Sequence, residues 1–149
     1  PQSCAARPTG DRRVVRARDD VLLGALDKLV HLGFGLAGVN GVPNLMGSGT
    51  LVAGSPGSVD MSSARPSWLA VLVLSVSSTP VMVYCGTLIP MPYLALLSLG
   101  TDPLGALPLG WPAWPASLAG QTVFFQYAIP DPAAICGVAF SNALRAKAP

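Results

Sequence analysis

Two long uncharged stretches limit most strongly what this chain can fold into. Residues 66–101 contain no charged side chain, and residues 103–130 contain none either. A membrane-spanning helix needs about 20 mainly apolar residues, but Pro80, Pro90 and Pro92 divide the first stretch into shorter pieces. Short apolar pieces separated by Pro, Gly and Ser are typical of β-strands and turns. We therefore expect buried strands here, and no insertion into a membrane.

Runs of strand length recur from residue 45 to the end of the chain, with turn signals between them. This spacing predicts an all-β fold, either a sandwich or a barrel, and of the two we expect an antiparallel β-sandwich of the immunoglobulin-like or jelly-roll-like kind. Because Trp68–Val76 is apolar on both faces, we expect it to be a central strand. The last run is rich in Ala and could also form a helix. The predicted strands are Leu45–Ala53, Ser58–Ser62, Trp68–Val76, Val81–Tyr84, Tyr93–Leu99, Leu104–Leu109, Thr122–Ile129 and Ile135–Leu144.

Charge is concentrated at the start of the chain. Ten of the 16 charged residues lie within the first 28, and only six serve residues 29–149. A monomeric protein usually keeps a mixed charged surface that holds copies apart. The sequence therefore predicts a non-enzymatic structural subunit that self-associates, as in a filament or a surface layer. A small secreted module that tolerates a neutral surface, or a fragment of a larger protein, is the alternative. A net charge of +2 gives no reason to expect a nucleic-acid partner.

The N-terminal segment differs from the rest, which predicts two parts: a charged arm or helix, residues 1–32, and a β-sandwich domain, residues 33–149. Apolar residues at helical spacing predict a short amphipathic helix over residues 19–32. The competing interpretation is an extended segment, Arg13 to Leu23, that adds to a sheet edge. The chain begins with Pro1 and not with Met, so we expect an upstream segment to have been removed. The residues expected to reach a neighbouring molecule are Val14, Val15, Val21, Leu22, Leu26 and Leu29.

The motifs that would indicate an enzyme are missing or lie in the wrong context. Residues 33–38, Gly-Phe-Gly-Leu-Ala-Gly, match the dinucleotide-binding fingerprint, and Asp60 follows at a suitable distance. That fingerprint works between a strand and a helix, whereas Gly41 and Pro43 oppose a helix here. His31 is the only histidine, and there is no Gly-x-Ser-x-Gly sequence around a nucleophile. We expect no enzymatic activity, no cofactor and no metal.

Two pairs of residues stand out as candidate structural or binding features. Cys85 and Cys136 lie in or beside predicted strands, which predicts a disulfide if the protein is exported and leaves Cys4 over. The alternative is three reduced thiols. Trp111 and Trp114, each followed by a proline, form a stiff aromatic loop suited to a protein interface or a sugar platform. The alternative is that both rings cover one end of the core. A carbohydrate-binding or adhesive module of a secreted protein, with polysaccharide as partner, is therefore the second functional hypothesis.

Several segments after residue 40 share a pattern with a known family: Gly41–Leu45, Trp68–Val76, Val81–Leu88, Leu118–Tyr127, Asp131-Pro132 and Gly137–Arg145. In them the chain resembles a β-rich module found, often near the C-terminus, in large secreted bacterial proteins. The resemblance covers roughly residues 41–146. It implies export to the cell surface or beyond, a β-sandwich and a last strand at residues 135–145. It implies no catalytic residues.

Overall fold

The computed structural model of the protein describes residues 28–149. Apart from a 3-10 turn at Ala116–Leu118, the regular structure of these residues is all strand. The strands are short, and Gly, Pro and Ser are frequent in the turns between them, as expected for turn-forming residues. They are β1 (Leu29–Gly33), β2 (Asn44–Gly49), β3 (Gly57–Ser62), β4 (Leu69–Ser75), β5 (Val81–Val83), β6 (Gly86–Leu88), β7 (Ala95–Gly100), β8 (Leu107–Trp111), β9 (Thr122–Pro130), β10 (Val138–Phe140) and β11 (Ala143–Lys147).

The strands form antiparallel sheets that pack against each other, so the predicted all-β sandwich is confirmed. The main sheet has the order β1-β11-β9-β4-β7, and β10 pairs with the second half of β9. The second sheet has the order β2-β3-β8. The short hairpin β5–β6 belongs to neither sheet. β4 and β9 therefore lie in the middle of the main sheet, and β1 and β7 lie at its edges.

The hydrophobic core fills the space between the two sheets. Alternate residues of β9 point into it, because successive side chains of a strand face opposite sides. Full burial of one such side chain contributes about 1.5–3 kcal/mol relative to an exposed position. The main sheet contributes Ala70, Leu72, Val123, Phe125, Tyr127, Ile129 and Leu144, and the second sheet contributes Leu45, Val59, Met61 and Leu107.

β9 is buried on its second face as well. Phe124 packs there with Ile89 and Ala143, and Leu32 lies against this cluster. Gln126 is fully buried on the same face and is held by hydrogen bonds to the surrounding loops. Burial on both faces explains why β9 is recognisable in the sequence as a nearly continuous apolar run.

The helix predicted over residues 19–32 is wrong for its last four residues. Leu29–Leu32 lies in β1, which pairs with β11, and the N–H of Lys147 donates to the carbonyl oxygen of Lys28 at 2.7 Å. An isolated helix of this length has little stability of its own, whereas the edge of β11 supplies backbone partners. The predicted domain boundary at residues 32–33 therefore falls inside β1. Residues 19–27 lie outside the described part of the chain.

The last predicted strand, Ile135–Leu144, is divided in two. β10 ends before Ser141 and β11 begins after Asn142. The side chains of these two residues form hydrogen bonds with backbone groups. The Ser141 Oγ accepts a hydrogen bond from the N–H of Tyr127 at 2.9 Å. The Asn142 amide bonds to both the N–H and the carbonyl oxygen of Leu45 in the second sheet. This short irregular segment connects the two sheets.

Two of the aspartates shape turns and so set where strands begin. Asp102 Oδ1 accepts hydrogen bonds from the N–H groups of Leu104 and Ala106, both at 2.8 Å. That turn delays β8 to Leu107, three residues later than predicted. Asp131 Oδ1 accepts from the N–H of Ala133 in the same way. Short polar side chains favour turns because they offer the backbone this local alternative.

Candidate functional site

β7 forms an edge of the main sheet that carries no charged residue, no proline and no bulge. Within residues 28–149 it pairs with β4 on one side and with no strand on the other. Leu96 is 51% exposed and Leu97 is 41% exposed. Natural proteins normally protect an exposed edge strand with Lys, Pro or a bulge. Since β7 has none of these, its open side can accept a further strand.

The backbone groups that point outwards along this edge can be assigned from the register. The N–H of Thr101 donates to the carbonyl oxygen of Trp68 at 2.8 Å, so residue 101 faces β4. In an antiparallel pair the facing residues alternate. The N–H and C=O groups of Leu96, Ser98 and Gly100 therefore point away from β4. We call these three residues the β7 edge.

The β7 strand is apolar on both faces. Leu97 and Leu99 stand opposite Leu72 and Ala70, on the face that covers the core. Leu96 stands opposite Val73 on the other face. The preceding residues Tyr93 and Leu94 are also exposed, at 56% and 70%. A strand added to the β7 edge would bury apolar side chains on both sides of the sheet.

The opposite edge of the main sheet, β1, is built differently. Its register shifts between His31 and Gly33, which marks a bulge. Phe34 follows with a φ of 65°, in the left-handed region that non-glycine residues rarely adopt. Lys28 lies just before β1, and its side chain donates to the carbonyl oxygen of Thr50. A bulge, a turn away from the sheet and a charge are the devices that discourage strand addition, so the two edges are not equivalent.

An open depression of about 720 Å³ lies beside the β7 edge. It is lined by residues 67–69 of the chain entering β4 and by residues 98–101. Trp68 is 43% exposed there, and the guanidinium of Arg65 lies 3.8 Å from the centre of its ring. A cation over an aromatic face is a favourable contact, so Arg65 holds the indole in place at the surface.

The two tryptophans singled out in the sequence belong to the core. Trp114 is 4% exposed and lies within the main hydrophobic cluster, while Trp111 is half-buried against it. Their ring centres are 5.1 Å apart and the rings are tilted by 59°, a common arrangement for packed aromatics. The interpretation that these rings cover the core therefore agrees with the structure, and the predicted aromatic interface at Trp111 and Trp114 does not.

Cys85 and Cys136 form a disulfide, with Cα atoms 5.8 Å apart. Cys85 lies in the turn of the β5–β6 hairpin, and Cys136 lies in the loop between β9 and β10. The disulfide thus joins the hairpin to the main sheet. Beside it, Val71, Ala128 and Phe140 line an apolar groove of about 370 Å³, together with hairpin residues.

Of the residues predicted to contact a neighbouring molecule, Leu29 lies in β1 and packs against the core of its own chain. Val14, Val15, Val21, Leu22 and Leu26 lie outside the described residues. Leu29 is an apolar residue that requires burial, as the sequence indicated, but it is partly buried by residues of its own chain and not by a neighbouring molecule.

The polar residues considered in the sequence have structural partners. His31 Nδ1 lies 2.8 Å from Asn142 Nδ2, and Asp60, in the middle of β3, accepts a hydrogen bond from Ser58. Residues 33–38 follow a strand but lead into a loop, where Leu36 bridges to Phe140.

Within residues 28–149 no three His, Cys, Asp or Glu side chains are grouped as metal ligands would be. The same residues include no helix with the length and hydrophobicity needed to cross a membrane.

Sequence reasoning missed the β7 edge as a site, although it predicted the strand. The signal was present in the residues Ala-Leu-Leu-Ser-Leu-Gly, which have neither charge nor proline. Whether such a strand lies in the centre of a sheet or at its edge depends on the strand order, which local sequence does not reveal.

Comparisons of the chain with protein-family models, with curated proteins and with solved structures found no significant match. The resemblance to a module of secreted bacterial proteins therefore stays a prediction.

Proposed function

We propose that this protein is a non-enzymatic structural subunit that works outside the cell and associates with copies of itself, as part of a filament or a surface layer. The observation that carries the proposal is the β7 edge: Leu96, Ser98 and Gly100 lie on an uncharged, unbulged strand, and their outward-facing backbone groups have no strand partner within residues 28–149. Strand addition to such an edge is a common mode of protein recognition.

The low charge of the sandwich supports the same proposal. Residues 29–149 carry six charged side chains, and several large apolar side chains are exposed. Exposed apolar area of this kind marks interaction surfaces when it is contiguous. Repulsion between copies is weak because so few ionised groups remain. Close approach of two molecules therefore meets little electrostatic resistance.

The location outside the cell is supported by the disulfide between Cys85 and Cys136. Disulfides persist mainly in oxidising compartments, such as the periplasm, the cell surface and the medium. A module with few charges and a disulfide that joins its hairpin to the main sheet suits that environment.

The test is the mass of the protein in solution, measured by light scattering and analytical ultracentrifugation over a wide range of concentration, followed by electron microscopy of the native material. We expect reversible association in the wild type. Leu96→Lys places a charge beside the β7 edge and should weaken association at least about tenfold, which corresponds to about 1.4 kcal/mol. Leu104→Lys is the matched control, because Leu104 is 83% exposed in the turn after β7. A wild type that stays monomeric throughout would overturn the proposal.

A carbohydrate-binding or adhesive function is the second candidate, and Trp68 is the residue that favours it. Its ring is partly exposed beside an open depression, and one face is stacked by Arg65. Exposed aromatic rings held rigidly suit stacking against apolar faces of a ligand. Trp68→Ala should abolish retention on insoluble polysaccharide while Trp111→Ala leaves it unchanged. If the wild type is not retained on any polysaccharide, this candidate fails.

A further inference from the structure

We infer that β7 pairs with β7 of a second copy, antiparallel and in one register, with the two-fold axis passing between the two Ser98 residues. This inference rests on the proposed function and makes it specific. It names the partner strand, the register and the symmetry of the contact. A two-fold axis at this edge would join the two main sheets into one continuous sheet.

The register follows from the backbone groups that point outwards. With the axis at Ser98, Ser98 faces its own copy, Leu96 faces Gly100 of the partner and Gly100 faces Leu96 of the partner. The three outward-facing residues of one copy then all pair with the outward-facing residues of the other copy, and each pair exchanges two N–H···O bonds. With the axis moved to Leu97, Gly100 would stand opposite Leu94, whose N–H already donates to the carbonyl oxygen of Leu74 at 2.7 Å. The Ser98 register therefore satisfies the most backbone groups.

The side chains also fit this register. A Cβ built on Gly100 would have no atom within 4 Å, so the exposed Leu96 side chain of the partner finds open space over it. On the other face Leu97 comes opposite Leu99 of the partner. Both apolar pairs occur twice because of the symmetry, and cross-strand apolar pairs are the unit that stabilises a sheet.

Charge does not oppose the contact. Asp102 is the first charged residue after β7, and in this register the two copies of Asp102 stand eight residues apart along the strand direction. At a rise of about 3.4 Å per residue this is roughly 27 Å. Interactions between exposed charges are largely screened beyond about 8–10 Å at physiological salt. The two Asp102 side chains therefore do not repel each other appreciably.

The same edge comparison explains why the contact closes. Head-to-tail pairing of β7 with β1 of another copy would leave one free edge on each end and grow without limit. The bulge and the left-handed Phe34 make β1 a poor partner. When β7 pairs with β7 of a second copy, the open β7 edge of each molecule is occupied, so this contact stops at a dimer. Larger assemblies of the protein would then be built from this dimer through another surface.

The test uses charge pairs to find out which residues face each other. Leu96→Lys alone should weaken the dimer about tenfold. In the Ser98 register, adding Gly100→Glu puts the carboxylate opposite the new lysine of the partner and should restore most of that loss. Adding Ser98→Glu instead puts two carboxylates opposite each other and should weaken the dimer further. The two double variants introduce the same residue types, so each is the control for the other.

The outcomes separate this inference from the proposed function. A monomeric wild type overturns the proposed function itself. If the wild type associates but Ser98→Glu, and not Gly100→Glu, restores the dimer affinity lost in Leu96→Lys, the register is the one centred on Leu97 and the inference is overturned. The inference is also overturned if neither second substitution restores the affinity. If the wild type reaches larger assemblies without a dimer as its first associated species, the closed dimer is overturned. Sedimentation velocity of the four proteins distinguishes all of these results.

Discussion

The Oε1 atom of Gln126 accepts a hydrogen bond from the N–H of Ile89 at 2.9 Å, deep in the second face of the main sheet. The Nε2 atom of the same side chain donates to the carbonyl oxygens of Thr87 and Ser141, at 3.0 and 3.1 Å. One buried amide thus ties β6 and the following loop, and the break between β10 and β11, to the centre of β9.

Gln126→Met should therefore destabilise the protein by about 3 kcal/mol, because it leaves buried backbone groups without partners. Urea denaturation of the variant measures the change in the free energy of unfolding. Gln121→Met is the matched control, since Gln121 is exposed, and it should change stability by less than about 0.5 kcal/mol. Equal effects of the two substitutions would contradict a structural role for the Gln126 amide.

The hydroxyl of Tyr127 predicts a change in stability at high pH. The side chain is fully buried and its Oη atom has no hydrogen-bond partner. Burial, and secondly the negative charge of Asp60, raise the pKa of Tyr127 to about 12. The folded state thus keeps the proton to a higher pH than the unfolded state, in which the pKa is about 10. Stability from this group is complete below pH 10 and is lost as the pH rises towards 12, by about 3 kcal/mol in all.

The measurement is the free energy of unfolding against pH for the wild type and for Tyr127→Phe. The difference between the two should appear between about pH 10 and 12, and at neutral pH the variant should be at least as stable, because it removes an unpaired buried hydroxyl. Tyr84→Phe is the control for loss of a tyrosine hydroxyl at the surface, since Tyr84 is 65% exposed. If Tyr127→Phe follows the wild type above pH 10, the hydroxyl is not buried in solution.

Predictions from the sequence succeeded where burial alone decides the structure. Trp68–Val76 and Thr122–Ile129 were recognisable because strands covered on both faces are apolar on both faces. They are β4 and β9, two interior strands of the main sheet. The sandwich itself follows from such strands and the turns between them.

Predictions failed where a distant partner decides the structure. Leu29–Leu32 has helical spacing of its apolar residues, but it pairs with β11, more than a hundred residues further along the chain. The position of β7 at an edge depends on strand order in the same way. For Trp111 and Trp114 the sequence left core and interface open, and only the packed structure separates them. Local patterns report what a segment must bury and not what buries it.

The disulfide predicts a large contribution to stability, because it connects residues 51 positions apart. Closing a loop of that length restricts the unfolded chain and is worth about 4 kcal/mol in the chain-entropy treatment. The variant with both Cys85→Ser and Cys136→Ser should lose about that much in denaturation experiments. Reductant should destabilise the wild type similarly and leave the double variant unchanged. A wild type insensitive to reductant under unfolding conditions would show that the disulfide does not form.

Three glycines separate backbone strain from steric collision, and they give the last prediction. Gly105 has a φ of 75°, and a Cβ built there would collide with the carbonyl oxygen of Ala64. Gly54 has a φ of 82° with nothing nearby, and Gly100 has neither a positive φ nor a close neighbour. Alanine in the left-handed region costs about 1 kcal/mol or more, and a collision with backbone adds to that because a carbonyl group cannot rotate aside.

We therefore expect Gly105→Ala to destabilise the protein most, by at least about 2 kcal/mol, Gly54→Ala by about 1 kcal/mol, and Gly100→Ala by almost nothing. Thermal and urea denaturation of the three variants, at a concentration where each is monomeric, give the order. The turn that contains Gly105 precedes β8, and the carbonyl oxygen of Gly105 accepts a hydrogen bond from the N–H of Ala64 at 3.0 Å. If Gly105→Ala were no worse than Gly54→Ala, the close approach of these two backbone segments would be absent in solution.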